Sequence, residues 1–378
     1  MAIRCHVEEI RDWARLEQLR DAWRCLANQA VEPNCFYEPF FLIPALRLLA
    51  ADSRPRVLAI WAINEATSER VLAGLAPVER ARVFDRLPLR AWRLWRHKYC
   101  FLTAPLIHRH YVESATVALL EWLRRSGAIS VLAMVRAGEV QDAVERKAGD
   151  MCVARAERWE RSCCETGTSA EDYIERAVCR KHRREYRRQE RLLGERGEVE
   201  YRSWQPGEAI EPWAHAFLEL EASGWKGRHG TAFASVEADR RFFQEMIAGA
   251  AADARLMMLG LYWQGRPIAM KLNFVCGEGS FAFKICYDES FSQYSPGALL
   301  ELENIRQIHA RGIAWMDSCA DPGHWMMERV WRERRRFDTY YLGPKVCGAS
   351  IAAPLAALKR AAQSHRDANS PRKASTAR

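Results

Sequence analysis

No Cys-x-x-Cys pair occurs in this chain of 378 residues, although it holds 12 cysteines. They are scattered from Cys5 to Cys347, and the one close pair is Cys163-Cys164. Structural zinc needs paired ligands at short spacing, so no metal site is expected. In a reducing compartment these thiols read as small buried hydrophobes. Long apolar runs are also missing: no stretch approaches the roughly 18 residues of a membrane span. The N-terminal MAIRCHVEEIRDWARLEQLR is charged throughout and lacks an apolar h-region, which argues against a signal peptide. A cytoplasmic protein without an integral membrane segment is the expectation.

What remains is a globular composition, 49% hydrophobic and 28% charged, in a length suited to two domains. The net charge of +9 favours anionic partners: a nucleotide cofactor, RNA or an anionic membrane surface. Trp13, Leu16, Leu19, Trp23 and Leu26 recur at helical spacing over residues 12–30. RVLAIWAI and VLAGLAPVERARV flank a polar turn and read as a hairpin, and YCFLTAPLI is a candidate strand. VESATVALLEWLRRSG reads as a helix closed by Gly127, with AISVLAMV as the strand after it. The second half contains a basic segment over residues 169–197, the helix PWAHAFLELEAS, the loop GWKGRHGTAF and a further helix. A three-strand meander follows: RLMMLGLYW, PIAMKLNFVC and SFAFKICYD. A helix ending in Gly312, a strand ending at Asp317 and the strand FDTYYLG complete it. The polar tail from about Gln363 is expected to be disordered. The two halves repeat one order of elements, which predicts a duplicated domain.

The loop after the meander, Gln293-Tyr294-Ser295-Pro296-Gly297-Ala298, opens the second half's helix. The first amides of a helix lack intrahelical partners and carry partial positive charge, so they suit a phosphate. Pro296 fits the first turn, where its missing N–H costs nothing, and Gly297 leaves room for a ligand beside the backbone. Ser295 is a candidate N-cap. An ordinary capped helix is the alternative. The first half has HRHYVES in place of Ser-Pro-Gly and is expected to lack the ligand site.

This order of elements resembles the GNAT acyltransferase superfamily, whose loop between a central strand and the next helix grips the pyrophosphate of acyl-coenzyme A. The family's Arg/Gln-x-x-Gly-x-Gly/Ala fingerprint is matched at Gln293, with one glycine in a shifted place. Phe-x-x-Tyr-Ser-Pro-Gly-x-Leu-Leu (Phe291 to Leu300), Gly-Trp-Lys-Gly (Gly224 to Gly227) and the Asp-rich run Asp317 to Asp321 are similar to one branch. That branch is the cellulose- or exopolysaccharide-associated (CelD-type) proteins, related to FemAB-like aminoacyltransferases. The resemblance implies an α+β fold of tandem GNAT-like domains, with mixed, mostly antiparallel central sheets flanked by helices. The expected division is a degenerate N-terminal domain over 1–165, a catalytic domain over 166–345 and a basic tail over 346–378. The implied activity is N-acyl transfer from acetyl-CoA or another acyl-CoA to an amine on a sugar or small metabolite. The loop from Gln293 through Leu299 and Leu300 would hold the donor. Membrane-associated polysaccharide machinery is an implied partner. Aminoacyl-tRNA as donor, or a non-catalytic partner role in polysaccharide assembly, are the alternatives.

Acyl transfer to an amine needs a proton acceptor and a polarised carbonyl. Asp317, at a strand end, is a candidate general base, or else an N-cap, a role that Asp321 fills better. His324 is a candidate proton shuttle, or else a surface residue of a first helical turn. Lys271, Asn273, Lys284 and Asp288 stand mid-strand in the meander and are candidates for one polar cluster along a substrate groove. A solvated sheet face, or a Lys284–Asp288 ion pair, is the alternative. Trp225, Lys226 and Arg228 are candidates to stack on a ring or hold an anion, or else form a basic surface turn. The arginines of Arg180 to Arg191 read as a solvated face with interleaved Glu, or as an RNA or lipid contact.

Overall fold

A computed structural model of the protein describes residues 3–50, 53–82, 90–126, 129–149, 151–344 and 353–359. The first half runs β1 (Ile3–Ile10), α1 (Trp13–Gln18), α2 (Arg20–Asn28), α3 (Pro39–Leu49), β2 (Arg56–Asn64), β3 (Arg70–Arg82) and β4 (Arg90–Leu94). It continues with β5 (Leu106–Ile107), α4 (Val112–Arg125), β6 (Ser130–Arg136), α5 (Glu139–Lys147) and β7 (Met151–Glu165). The second half begins with α6 (Ala170–Ala177), α7 (Arg180–Gly194), β8 (Val199–Ser203), α8 (Glu211–Ser223), α9 (Trp225–Arg228) and α10 (Glu237–Ala252). The meander is β9 (Leu256–Trp263), β10 (Arg266–Cys276) and β11 (Gly279–Tyr287). Then come α11 (Pro296–Ala310), β12 (Trp315–Asp317), α12 (Met327–Val330) and β13 (Glu333–Pro344). Gly127 and the tail from Gln363 lie outside the described residues.

The strands join in one continuous sheet with the order β1-β2-β3-β4-β6-β13-β7-β12-β11-β10-β9-β8, β5 pairing on β3. This order reads alike from either end, as a duplication requires. Each half has four antiparallel strands and then a parallel neighbour, β6 on β4 and β12 on β11. The last strands are exchanged. β7 of the first half pairs with β12 of the second, and β13 pairs with β6. β7 and β13 zip together along their length, from Glu333–Cys163 to Pro344–Met151. The two halves are therefore joined by main-chain hydrogen bonds as well as by side-chain contact.

They also share apolar packing. Phe36 of the first half lies 5.4 Å from Phe281, Phe40 lies 5.3 Å from Phe274, and Phe41 lies 5.6 Å from Phe283. Such edge-to-face and tilted contacts suit the aromatic quadrupole. Among the described residues no helix is long and apolar enough to cross a membrane.

Four elements differ from the sequence reading. β1 and β7 were hidden by their charges, which pair laterally: Arg15 with Glu8, Arg56 with Glu9, and Arg158 with Asp338. The helix over 12–30 is two helices that meet at Leu19. YCFLTAPLI yields only the two-residue β5; the rest is an extended loop that fills the gap where β4 and β6 part. Thr103 Oγ1 donates to the Ala133 carbonyl at 2.6 Å, and Asn34 Nδ2 donates to that of Ala104 at 2.7 Å. Among the described residues, this loop occupies the place in the first half that the cleft described next takes in the second.

Candidate functional site

β11 and β12 pair over only three residues each, Gly279–Trp315 to Phe281–Asp317. Beyond them β12 ends, while β11 runs on to Tyr287 with its β12-facing edge unpaired. A register shift helps to drive this divergence. Leu272 faces Lys284 while Phe274 faces Phe281, so β11 carries an extra residue opposite Asn273. Such a bulge bends its strand and increases its twist. The resulting cleft of about 650 Å³ is walled by β11, the start of α11 and the segment after β12. Trp225 and Lys226 of α9, and Lys98, Tyr99 and Phe101 of the first half's loop, close it.

At the head of α11, Ser295 has φ 50° and ψ 49°, a left-handed conformation uncommon outside glycine. Its side chain makes no cap bond, contrary to the N-cap expectation. Instead its carbonyl accepts the Ala298 and Leu299 amides at 2.9 and 3.1 Å. Pro296 has no N–H to place. The Gly297 amide is left facing the cleft without a partner among the described residues. Ser292, Ser295, Pro296, Gly297 and Ala298 all line the cleft. Gln293 is exposed and outside the lining, and Tyr294, Leu299 and Leu300 are buried in the core behind it.

Lys271 and Lys284 lie on opposite faces of the sheet. The register pairs Lys284 with Leu272 and Lys271 with Ile285, and paired residues share a face. On the α11 face, Lys271 is 1% exposed with Nζ 2.8 Å from Glu301 Oε2. Glu301 Oε1 accepts from Trp331 Nε1 at 3.1 Å. Asn273 donates to Asn304 at 2.9 Å and does not reach the cleft. On the α8 face, Lys284 Nζ donates to Glu221 Oε1 at 3.0 Å and lies 4.0 Å from the centre of the Phe233 ring. Burial pushes its pKa down, against the pull of Glu221. Asp288 is elsewhere: it pairs with Arg266 at 2.6 Å and caps the turn at Ser290. The four residues expected in one polar cluster are thus divided among separate places, and the Lys284–Asp288 pair does not form.

Asp317 is fully buried. Arg161 holds it, with Nε 2.6 Å from Oδ1 and Nη2 2.9 Å from Oδ2, and the Cys319 amide donates to Oδ1 at 2.9 Å. It does not line the cleft. Arg161 Nη1 also donates to the Phe101 carbonyl at 2.7 Å, so this carboxylate anchors the loop that forms the opposite wall. Cys319 lines the cleft in a left-handed conformation, φ 54°, and burial pushes its thiol pKa well up. His324 stands at the rim, and partial burial pushes its imidazole below its ordinary value. Arg228 is turned away onto Glu289 at 2.6 Å, and Glu289 also accepts the Trp225 amide at 2.7 Å. A Cβ on Gly227 would overlap the Ala222 carbonyl, which explains the second glycine of Gly-Trp-Lys-Gly.

The lining therefore joins Lys226, Trp225, Lys271, Lys284, His324 and the Ser295–Ala298 turn, and leaves out Asp317, Asp288, Asn273 and Arg228. Glu221, Arg161 and the Lys98–Phe101 loop escaped the sequence reading. Glu221 had a usable signal: it continues the buried stripe Ala214, Phe217, Leu218 of α8, where an acidic residue is out of place. The loop had none, because its contact with the cleft depends on the packing of the two halves.

Residues 180–325 match the family model of the acetyltransferase (GNAT) domain. That stretch, less than half of the chain, is similar to a GNAT acetyltransferase domain. It includes the meander, the Ser295–Ala298 turn and β12, the elements that build the cleft. No curated protein matches the chain. Among solved structures it is similar to FemX, with 10% identity, TM-score 0.55, and 88% of this chain and 96% of that one covered. A protein of unknown function from Bacteroides thetaiotaomicron gives 12% identity and TM-score 0.54 over 90% of this chain and 99% of that one. The C-terminal domain of a putative lysylphosphatidylglycerol synthetase from Agrobacterium fabrum gives 9% and 0.54 over 91% and 96%. At these identities the likeness is one of fold, and it extends over both halves.

Proposed function

We propose that the protein is an N-acyltransferase that moves an acyl group from acyl-CoA to an amine. The observation that carries this reading is the opening of β11 from β12 directly before the head of α11. The donor's pyrophosphate is anionic, and the unpartnered Gly297 amide with the Ser292 and Ser295 hydroxyls suits it. The donor's amide-bearing arm fits the free edge of β11 as an added strand would. Its thioester then lies where the strands part, where bulge backbone can donate to the developing oxyanion. The amine nitrogen attacks the thioester carbon, the C–S bond breaks, and the thiolate leaves and takes up a proton.

His324 is our candidate for accepting the amine's proton, because a lowered pKa leaves its ring neutral at pH 7. Asp317 is assigned a positioning role, since its charge is spent on Arg161. The resemblance to the CelD-type branch suggests a sugar or polysaccharide-related amine as acceptor. Against the aminoacyl-tRNA reading, Arg183, Arg188 and Arg191 of the basic helix are paired with Glu175, Glu185 and Glu195.

Isothermal titration with acetyl-CoA tests the reading. Saturable binding that is lost in Gly297→Trp is expected. No heat at high micromolar ligand would sink it.

A further inference from the structure

The face of the cleft opposite α11 holds a charge imbalance. Glu221 is 2% exposed. Its Oε1 receives both Lys284 Nζ at 3.0 Å and Lys226 Nζ at 3.2 Å, and its Oε2 receives the Phe233 amide at 2.8 Å. Two ammonium groups share one oxygen of one carboxylate, which leaves one positive charge over. The other charged groups on this side are already matched. Lys98 of the first half pairs with Asp239 of α10, and Glu289 is taken by Arg228 and the Trp225 amide. The nearby Cys286 thiol is neutral, since burial raises its pKa. Neither Lys226 nor Lys284 has a second carboxylate within ion-pair distance among the described residues.

Both lysines line the cleft while being mostly covered: their side chains are 22% and 12% exposed. Aromatic rings close around Lys284, with Phe233 at 4.0 Å and Tyr99 at 5.0 Å. Water is therefore a poor partner for the ammonium protons that Glu221 does not use, and an anion is a good one. Carboxylate and ammonium are matched in size, so a second carboxylate would bridge the lysines from the open side as Glu221 does from behind.

We infer that this face of the cleft binds a carboxylate-bearing substrate, its anion bridging Lys226 and Lys284 opposite Glu221. This rests on the acyltransferase reading in that it makes the amine acceptor an anionic one: an amino acid or an amine on an acidic sugar. It places Lys226 and Lys284 as specificity-determining residues and gives Trp225, half-exposed beside them, a position along the remainder of the acceptor.

The test uses the full chain and matched probes, glycine, β-alanine and 4-aminobutyrate against their carboxamides. Binding is followed by ligand-observed NMR at millimolar concentration, with acetyl-CoA binding measured separately. A preference for carboxylate of about ten- to hundredfold is expected, the range for a hydrogen bond to a charged group. It should vanish in Lys226→Met, survive in Lys226→Arg, and leave acetyl-CoA binding unchanged in both. No carboxylate preference at millimolar probe, or a preference that persists in Lys226→Met, overturns the inference. Loss of acetyl-CoA binding with the preference intact would instead count against the donor assignment alone.

Discussion

Asp317→Asn separates a chemical role for the carboxylate at the end of β12 from a positioning one. The substitution keeps shape and an acceptor for the Cys319 amide but removes the charge. Arg161, whose side chain is 2% exposed, would then be left without its counter-ion, and Arg335, 3.8 Å away, would lose a second-rank partner. Breaking a buried ion pair from one side costs about 3–5 kcal/mol. At about 2.1 cal/mol/K of unfolding entropy per residue, a chain of 378 residues loses about 1.3 °C of Tm per kcal/mol, so thermal unfolding should fall by roughly 4–6 °C. Because Arg161 also fixes the Phe101 carbonyl, KM should rise several-fold through the displaced wall. The folded enzyme should keep kcat within about threefold and an unaltered pH profile, whereas losing a general base costs about 10²–10⁴. Scanning calorimetry and steady-state kinetics on the same preparation check both. A Tm within a degree of the parent together with a hundredfold lower kcat would refute the positioning role.

Three further outcomes follow from the same geometry. Glu32 is 2% exposed, both its oxygens lack hydrogen-bond donors among the described residues, and Arg136 stays 4.0 Å away. Burial raises its pKa from 4.5 to about 7, so the native state holds the proton more tightly than the unfolded chain. Stability should therefore fall as pH rises from about 4.5 to 7, by up to about 3 kcal/mol, and Glu32→Gln should abolish this slope in denaturant titrations. The acid limb of kcat/KM should have its midpoint below 6.5, the ordinary value for His324, with activity present above it, and His324→Ala should remove that limb. Gly227→Ala should displace the Trp225–Arg228 turn by its clash with the Ala222 carbonyl, raising acceptor KM about tenfold with little change in donor affinity.

Much of this was legible in the residues. Period-two runs located the meander, Ser-Pro-Gly located the head of α11, and the repeated order of elements anticipated the symmetric sheet. The errors share a physical cause: partners far apart in the chain. β7 has no place in the sequence reading, because Arg155 and Arg158 find their partner Asp338 only across the exchanged strand, 180 or so positions away. Alternation put Lys271 and Lys284 in one cluster, but facing across a strand pair is set by register, which alternation within each strand does not supply. Asp317 looked catalytic from its place at a strand end. Only the arrival of Arg161 from β7 shows that its charge is already used.

Hydrogen–deuterium exchange with and without acetyl-CoA tests the central claim, that the donor occupies the gap between β11 and β12. Slowed exchange is expected at residues 282–287 along the free edge of β11 and at 297–299 at the head of α11, with strands β2, β3, β4 and β6 of the first half unchanged. Protection confined to the first half, or absent from the β11 edge while the ligand is bound, would contradict it.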